Sequence, residues 1–160
     1  TQKLERLTKY PGIDTAPSYS PDGDFITFES DRSGSQKIYV MNLKTKKIKR
    51  ISFGKGKYAT PVWSPRGDLI AFTKLLGGEF YIGVMYTDGK GERVVYKSYL
   101  VEGPTWSPNG RVLSFYSQTK FSKGKISSPK IKLVDLTGVN LRELITPSDA
   151  SDPSWSGLLP

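Results

Sequence analysis

The sequence predicts an all-β fold built from a repeated four-stranded unit, for three reasons. A short motif recurs at near-constant spacing, the segments between its copies read as β-strands, and no segment carries the 3.6-residue period of a long amphipathic helix. The motif first stands as Pro17-Ser18-Tyr19-Ser20-Pro21-Asp22-Gly23. It returns as Pro61-Val62-Trp63-Ser64-Pro65-Arg66-Gly67 and as Pro104-Thr105-Trp106-Ser107-Pro108-Asn109-Gly110, with a broken copy at Pro153-Ser154-Trp155-Ser156-Gly157. The spacings are 44 residues (17 to 61), 43 (61 to 104) and 49 (104 to 153). A period of about 40–45 residues is that of a four-stranded propeller blade.

Each unit holds the same series of strands. The segment after the turn is β-branched and aromatic: Asp24–Ser30, Leu69–Thr73 and Arg111–Ser117. A third strand is expected at Lys37–Met41, Phe80–Met85 and Lys130–Val134, and a fourth at Ile48–Ile51, Glu92–Val95 and Leu141–Ile145. Blades are therefore expected over 17–52, 61–98 and 104–146. Residues 1–9 read as the outer strand of a preceding blade, because Leu4–Thr8 matches Ile48–Ser52. Residues 153–160 read as an inner closing strand. Closed propellers have typically 4–8 blades, so three units make a partial ring. Two such halves would make six blades, which suggests a homodimer.

The Ser-Pro-X-Gly element has a local cause. Proline presets φ for the second position of a type I turn, serine suits the first and glycine the fourth. It should join the first two strands of each blade as a tight hairpin. One large ring precedes it each time, at Tyr19, Trp63, Trp106 and Trp155, and is expected to pack between neighbouring sheets. Asp22, Asp88 and Asp135 fall in tight turns and read as structural. Lys44, Lys46, Lys47, Lys49 and Arg50 lie on a turn and an outermost strand, where lysine blocks edge-to-edge pairing. The Gln118–Pro129 stretch, with Lys120, Lys123 and Lys125, reads as an insertion or a contact loop.

Composition removes several chemistries. The 160 residues contain no Cys and no His, so thiol nucleophiles, disulfides, imidazole acid–base catalysis and a Ser-His-Asp triad cannot form within this chain. The formal net charge of +9 attracts anionic partners, but it is spread along the chain and reads as a solvated exterior; nucleic acid is not expected. No apolar run approaches the roughly 18–20 residues that span a bilayer.

Several strings make the chain similar to a known family. They are Asp14–Gly23, Ser30–Gln36, Arg50–Gly54, Pro61–Thr73, Glu102–Trp106 and Asp149–Ser156. Together they resemble the TolB family of the bacterial Tol–Pal system. The Pro61–Thr73 string and the tail are the most specific. The resemblance implies a periplasmic, non-enzymatic, protein-binding scaffold that carries an α/β domain before a six-bladed propeller, of which this chain is the second half. It implies binding of the Pal lipoprotein, engagement of other Tol proteins through the N-terminal domain, and capture by bacteriocin segments. Maintenance of outer-membrane integrity and support of cell division follow from the same likeness. A substrate-gating propeller of a prolyl-oligopeptidase-like peptidase is the alternative, and a propeller lyase or hydrolase using carboxylates alone is a third reading.

A partner is expected at the connections that run from an outermost strand to the next innermost one: 10–16, 53–60, 99–103 and 147–152. Loops on a rigid scaffold concentrate binding residues. The candidates there are Asp14, Thr15, Ala16, Tyr58, Ala59, Thr60, Val101, Glu102, Asp149, Ser151 and Asp152. Their carboxylates would gather acid at one mouth of a basic protein. Three roles stay open: turn shaping, contact with a partner's Lys or Arg, and a calcium site at Asp14, Glu102 and Asp152. No other cofactor and no catalytic residue is expected.

Overall fold

A computed structural model describes residues 4–157. Twelve strands form three four-stranded antiparallel sheets, each a simple meander. The first holds β1 (Asp14–Tyr19), β2 (Phe25–Ser30), β3 (Lys37–Asn42) and β4 (Ile48–Arg50). The second holds β5 (Lys57–Trp63), β6 (Leu69–Leu76), β7 (Glu79–Tyr86) and β8 (Arg93–Ser98). The third holds β9 (Leu100–Trp106), β10 (Val112–Gln118), β11 (Lys130–Asp135) and β12 (Arg142–Leu144). The sheets pack face to face, and their inner strands lie side by side, with β5 between β1 and β9. The all-β, partial-propeller reading holds.

The hairpins form as turn chemistry requires. Gly23, Gly67 and Gly110 donate their N–H groups to the carbonyls of Ser20, Ser64 and Ser107 at 2.8–2.9 Å, closing each four-residue turn. All three glycines have φ between +67° and +79°, which a side chain would penalise. The serines are buried, and their hydroxyls are used: Ser20 accepts from the Phe25 N–H at 2.9 Å and Ser107 from the Val112 N–H at 3.0 Å. The turn aspartates also act locally. Asp22 accepts from the Asp24 N–H, Asp88 from the Lys90 N–H and Asp135 from the Thr137 N–H.

The core lies between sheets. Ile38 and Ile51 of the first unit meet Tyr58, Trp63, Ile70, Phe72 and Met85 of the second. Leu69, Ala71, Ile82 and Val84 of the second meet Val101, Trp106, Leu113 and Phe115 of the third. Trp63 stacks on Phe25 of the preceding sheet, ring centroids 6.1 Å apart, and the Trp106 indole N–H donates to the Val62 carbonyl at 3.0 Å. These two rings sit between sheets, as expected. Tyr19 and Trp155 do not: they are 61% and 37% exposed. Among the described residues no sheet precedes β1 to cover Tyr19, and Trp155 lies outside any ladder.

The ends differ from expectation. Leu4–Lys9 and Pro153–Gly157 carry no strand, since no neighbour among the described residues offers them a ladder. Residues 1–3 and 158–160, part of the two expected terminal strands, lie outside the described residues. Leu7 packs on the outer face of the first sheet, against Ile26, Phe28, Tyr39 and Met41. Among the described residues no helix is long and apolar enough to cross a membrane.

Candidate acidic mouth of the propeller

The inner strands begin earlier than the prolines suggest. Asp14, Lys57 and Leu100 start β1, β5 and β9, so Asp14–Ala16, Tyr58–Thr60 and Val101–Glu102 lie on strands rather than in loops. They were hard to read as strands because each ladder breaks just before the proline. The register shifts between Thr15 and Ser18, between Ala59 and Val62, and between Glu102 and Thr105. At each break the residue before proline is left-handed: Ala16 at φ +50°, Thr60 at +44° and Gly103 at +65°. Asp152, before Pro153, takes φ +50°. A bulge of this kind re-aims the strand, and such devices collect at sheet rims and binding sites.

The period-2 alternation of a strand then sorts the candidates. Three positions before each proline, the side chain turns into the blade. Tyr58 and Val101 are fully buried there, so their side chains serve packing and not a partner. Tyr58 packs on Phe72, with ring centroids 5.3 Å apart, and its hydroxyl donates to the Glu92 carboxylate at 2.8 Å. Glu92 in turn accepts from Lys74 at 2.6 Å. The ring also lies 4.8 Å from Lys37 Nζ, a buried lysine of the first sheet that donates to the Gly54 and Gly56 carbonyls. This network ties the first two sheets together.

Asp14 occupies the same repeat position. Arg32 Nη2 donates to both of its oxygens at 2.9 Å, and the guanidinium lies over the rings of Tyr10, Phe28 and Tyr39. Burial pushes the Asp14 carboxyl up, but hydrogen bonds from Ser30, Arg32 and Thr8 and the Arg32 charge outweigh it and hold the group below its ordinary value. Asp14 is thus committed internally.

Two positions before each proline, Thr15, Ala59, Glu102 and Ser151 are exposed or half-buried. Here the structure gathers acid. Burial pushes the Glu102 carboxyl above its ordinary 4.5, and the charges of Glu29 and Asp152 push it the same way. Burial and the charges of Glu102 and Asp152 likewise raise the Tyr116 phenol on β10. Glu29 was not legible as a site residue, because it sits on the second strand of its blade. Its carboxylate is buried and accepts from the Thr60 N–H at 2.9 Å, and the Thr60 hydroxyl meets that of Thr73 at 2.8 Å. The strained Thr60 is therefore held at both ends. The one signal for Glu29 was a carboxylate directly after Phe25-Ile26-Thr27-Phe28 on a strand buried along most of its length.

Ser151 donates to the Asp152 carboxylate at 2.7 Å, next to the exposed Asp149. Among the described residues, no group of three or more Asp or Glu is placed to hold a metal ion, and Asp14 stands with Arg32 rather than with Glu102 and Asp152. The mouth sets the half-buried Glu102, whose carboxyl burial pushes up, beside two further carboxylates, an arrangement suited to receive a cationic side chain. Two members of the basic run make local contacts: Lys46, in the turn before β4, pairs with Glu5 at 2.9 Å, and Arg50 lies over Phe53.

Separate four-stranded meanders packed with their inner strands side by side define the class, a β-propeller. Known proteins narrow it. The family model described as TolB beta propeller domain matches residues 1–159, and the chain belongs to that family. It is 61% identical over 85 residues to the Tol-Pal system protein TolB of Zymomonas mobilis, a match that covers 53% of this chain and 18% of that protein. The crystal structure of TolB from Acinetobacter baumannii superposes with a TM-score of 0.74 at 26% identity, over 92% of this chain and 36% of that one. Acylaminoacyl peptidase of Pyrococcus horikoshii reaches a TM-score of 0.62 at 17% identity over 83% of this chain and 25% of that one, a likeness of fold alone. The chain spans less than a fifth of the length of the curated relatives it matches.

Proposed function

We propose that this chain is the mouth-bearing part of a non-enzymatic periplasmic propeller that binds the Pal lipoprotein and so supports outer-membrane integrity and cell division. The observation that carries it is the convergence of Glu29, Glu102 and Asp152 from separate repeats on one mouth. A carboxylate desolvated beside like charges is relieved when a partner's Lys or Arg arrives. Thr15, Ala59, Ser151 and the left-handed Ala16 and Thr60 supply the surrounding contact surface. Other Tol proteins would engage parts of the longer protein, and bacteriocin segments would compete at this mouth. The peptidase alternative is less favoured, because the family match runs along nearly the whole chain.

Titration of the Pal periplasmic domain by calorimetry, with and without Ca²⁺, tests this. Saturable binding is expected, and Glu102→Ala and Asp152→Ala should each weaken it about ten-fold, the scale of a half-desolvated charge contact. An unchanged dissociation constant for both variants would remove the mouth from the interface.

A further inference from the structure

The Gln118–Pro129 insertion is a built hairpin. Phe121 N–H donates to the Lys125 carbonyl at 2.7 Å, Ser127 N–H to the Thr119 carbonyl at 2.8 Å, and Lys120 bridges Ile126 in antiparallel register. The Gln118 side chain clamps its base by donating to the Ser127 carbonyl at 3.0 Å. The tip at Ser122–Gly124 turns through Lys123 (φ +67°) and Gly124 (φ +77°). Every residue from Thr119 to Ile126 is exposed.

Its chemistry is one-sided. No acidic residue occurs between Glu102 and Asp135, while Lys120, Lys123, Lys125, Lys130 and Lys132 all do. Two large apolar side chains stand among those lysines in water: Phe121 at 52% and Ile126 at 42% exposure. Directly opposed residues of an antiparallel pair share a face, so Phe121 stands beside Lys125 and Ile126 beside Lys120. At the hairpin's base, Lys120 lies over the Tyr99 ring, on the edge of an open groove shared with Tyr96 and Ser98. Gln118 pairs with Leu100, the first residue of β9, which places the hairpin on the same end of the blade as Glu102.

We infer that this hairpin docks on an anionic phospholipid surface. Lysines attract the headgroups, and the exposed Phe121, beside Lys125, enters the boundary beneath them. The shape argues against the other anionic partners. The groove at the hairpin's base is lined by Lys120 but not by Phe121, Lys123 or Lys125, so a peptide seated there would leave the exposed tip unused, and a single phenyl ring gives a nucleic acid no row of stacking platforms. The inference is independent of the Pal reading: the hairpin is separate from Glu29, Glu102 and Asp152, and either interaction can fail alone.

Co-sedimentation of the chain with vesicles of phosphatidylglycerol and phosphatidylcholine, against phosphatidylcholine alone, tests it. Binding is expected only to the anionic vesicles and should decline with salt. Lys120→Gln, Lys123→Gln and Lys125→Gln should each weaken it roughly five-fold, and Phe121→Ala about ten-fold, with circular dichroism unchanged. Phe121→Trp should report a blue-shifted emission on the vesicles. No binding to anionic vesicles, or full binding by the Phe121→Ala and lysine variants, overturns the inference. So does a Phe121→Trp emission that lipid leaves unmoved while single-stranded DNA quenches it.

Discussion

Glu102, proposed above to meet a partner, shows how such a residue costs stability. Unfolded, it titrates near 4.5; folded, burial and the charges of Glu29 and Asp152 make it hold its proton to higher pH. The folded state therefore binds more protons across that interval, and stability falls as pH rises through it. Glu102→Gln removes the ionisation. Its thermal midpoint should exceed that of the parent at pH 7, the two should converge as pH falls toward 4.5, and Pal affinity should drop. A midpoint difference independent of pH would show that Glu102 does not titrate in this way. Thr60 is a parallel case: a β-branched residue at φ +44° is strained, and two hydrogen bonds from its own backbone and hydroxyl hold it there.

At the scale of the strand, packing leaves little slack. Gly83 on β7 sits directly across the ladder from Phe72 on β6. A Cβ there would come within 3 Å of the Phe72 ring, which is fully buried and cannot swing away. Gly83→Ala should lower the unfolding free energy by about 1–3 kcal/mol through overpacking, read as a lower denaturant midpoint at unchanged slope. At the equivalent register positions of the other two sheets Tyr39 stands across from Phe28 and Lys132 across from Phe115, so the glycine is particular to the second sheet. The same scale explains the inner strands. Their prolines looked like strand starts, yet β1, β5 and β9 run through them, because a bulge with a left-handed residue absorbs the break.

Among the described residues the three packed sheets leave two apolar faces uncovered. On one, Leu7 lies over Ile26, Phe28 and Met41 beside a shallow apolar groove. On the other, Val139, Leu144 and Ile145 are 79%, 50% and 93% exposed around the short edge strand β12. Apolar faces of this sort favour association. Light scattering should show the mass rising above 17.8 kDa with concentration, and Ile145→Lys should shift that rise to higher concentration. A constant monomer mass at high concentration would show that the faces stay apart in this chain, and with it would go the expectation of a homodimer.

The sequence by itself determined the repeat, the four-strand meander, the Ser-Pro-X-Gly hairpins and the burial of Trp63 and Trp106. These follow from turn chemistry and period-2 alternation, which act over a few residues and repeat with the motif. The same alternation, applied to the residues before each proline, would have turned Tyr58 and Val101 inward; the bulge obscured it. Only the tertiary structure decided which carboxylates meet. Glu29 joins Glu102 and Asp152, Tyr58 joins Glu92 and Lys74, and Asp14 is taken by Arg32. Those pairings depend on how one blade is set against the next, and electrostatic coupling follows distance in space rather than position along the chain.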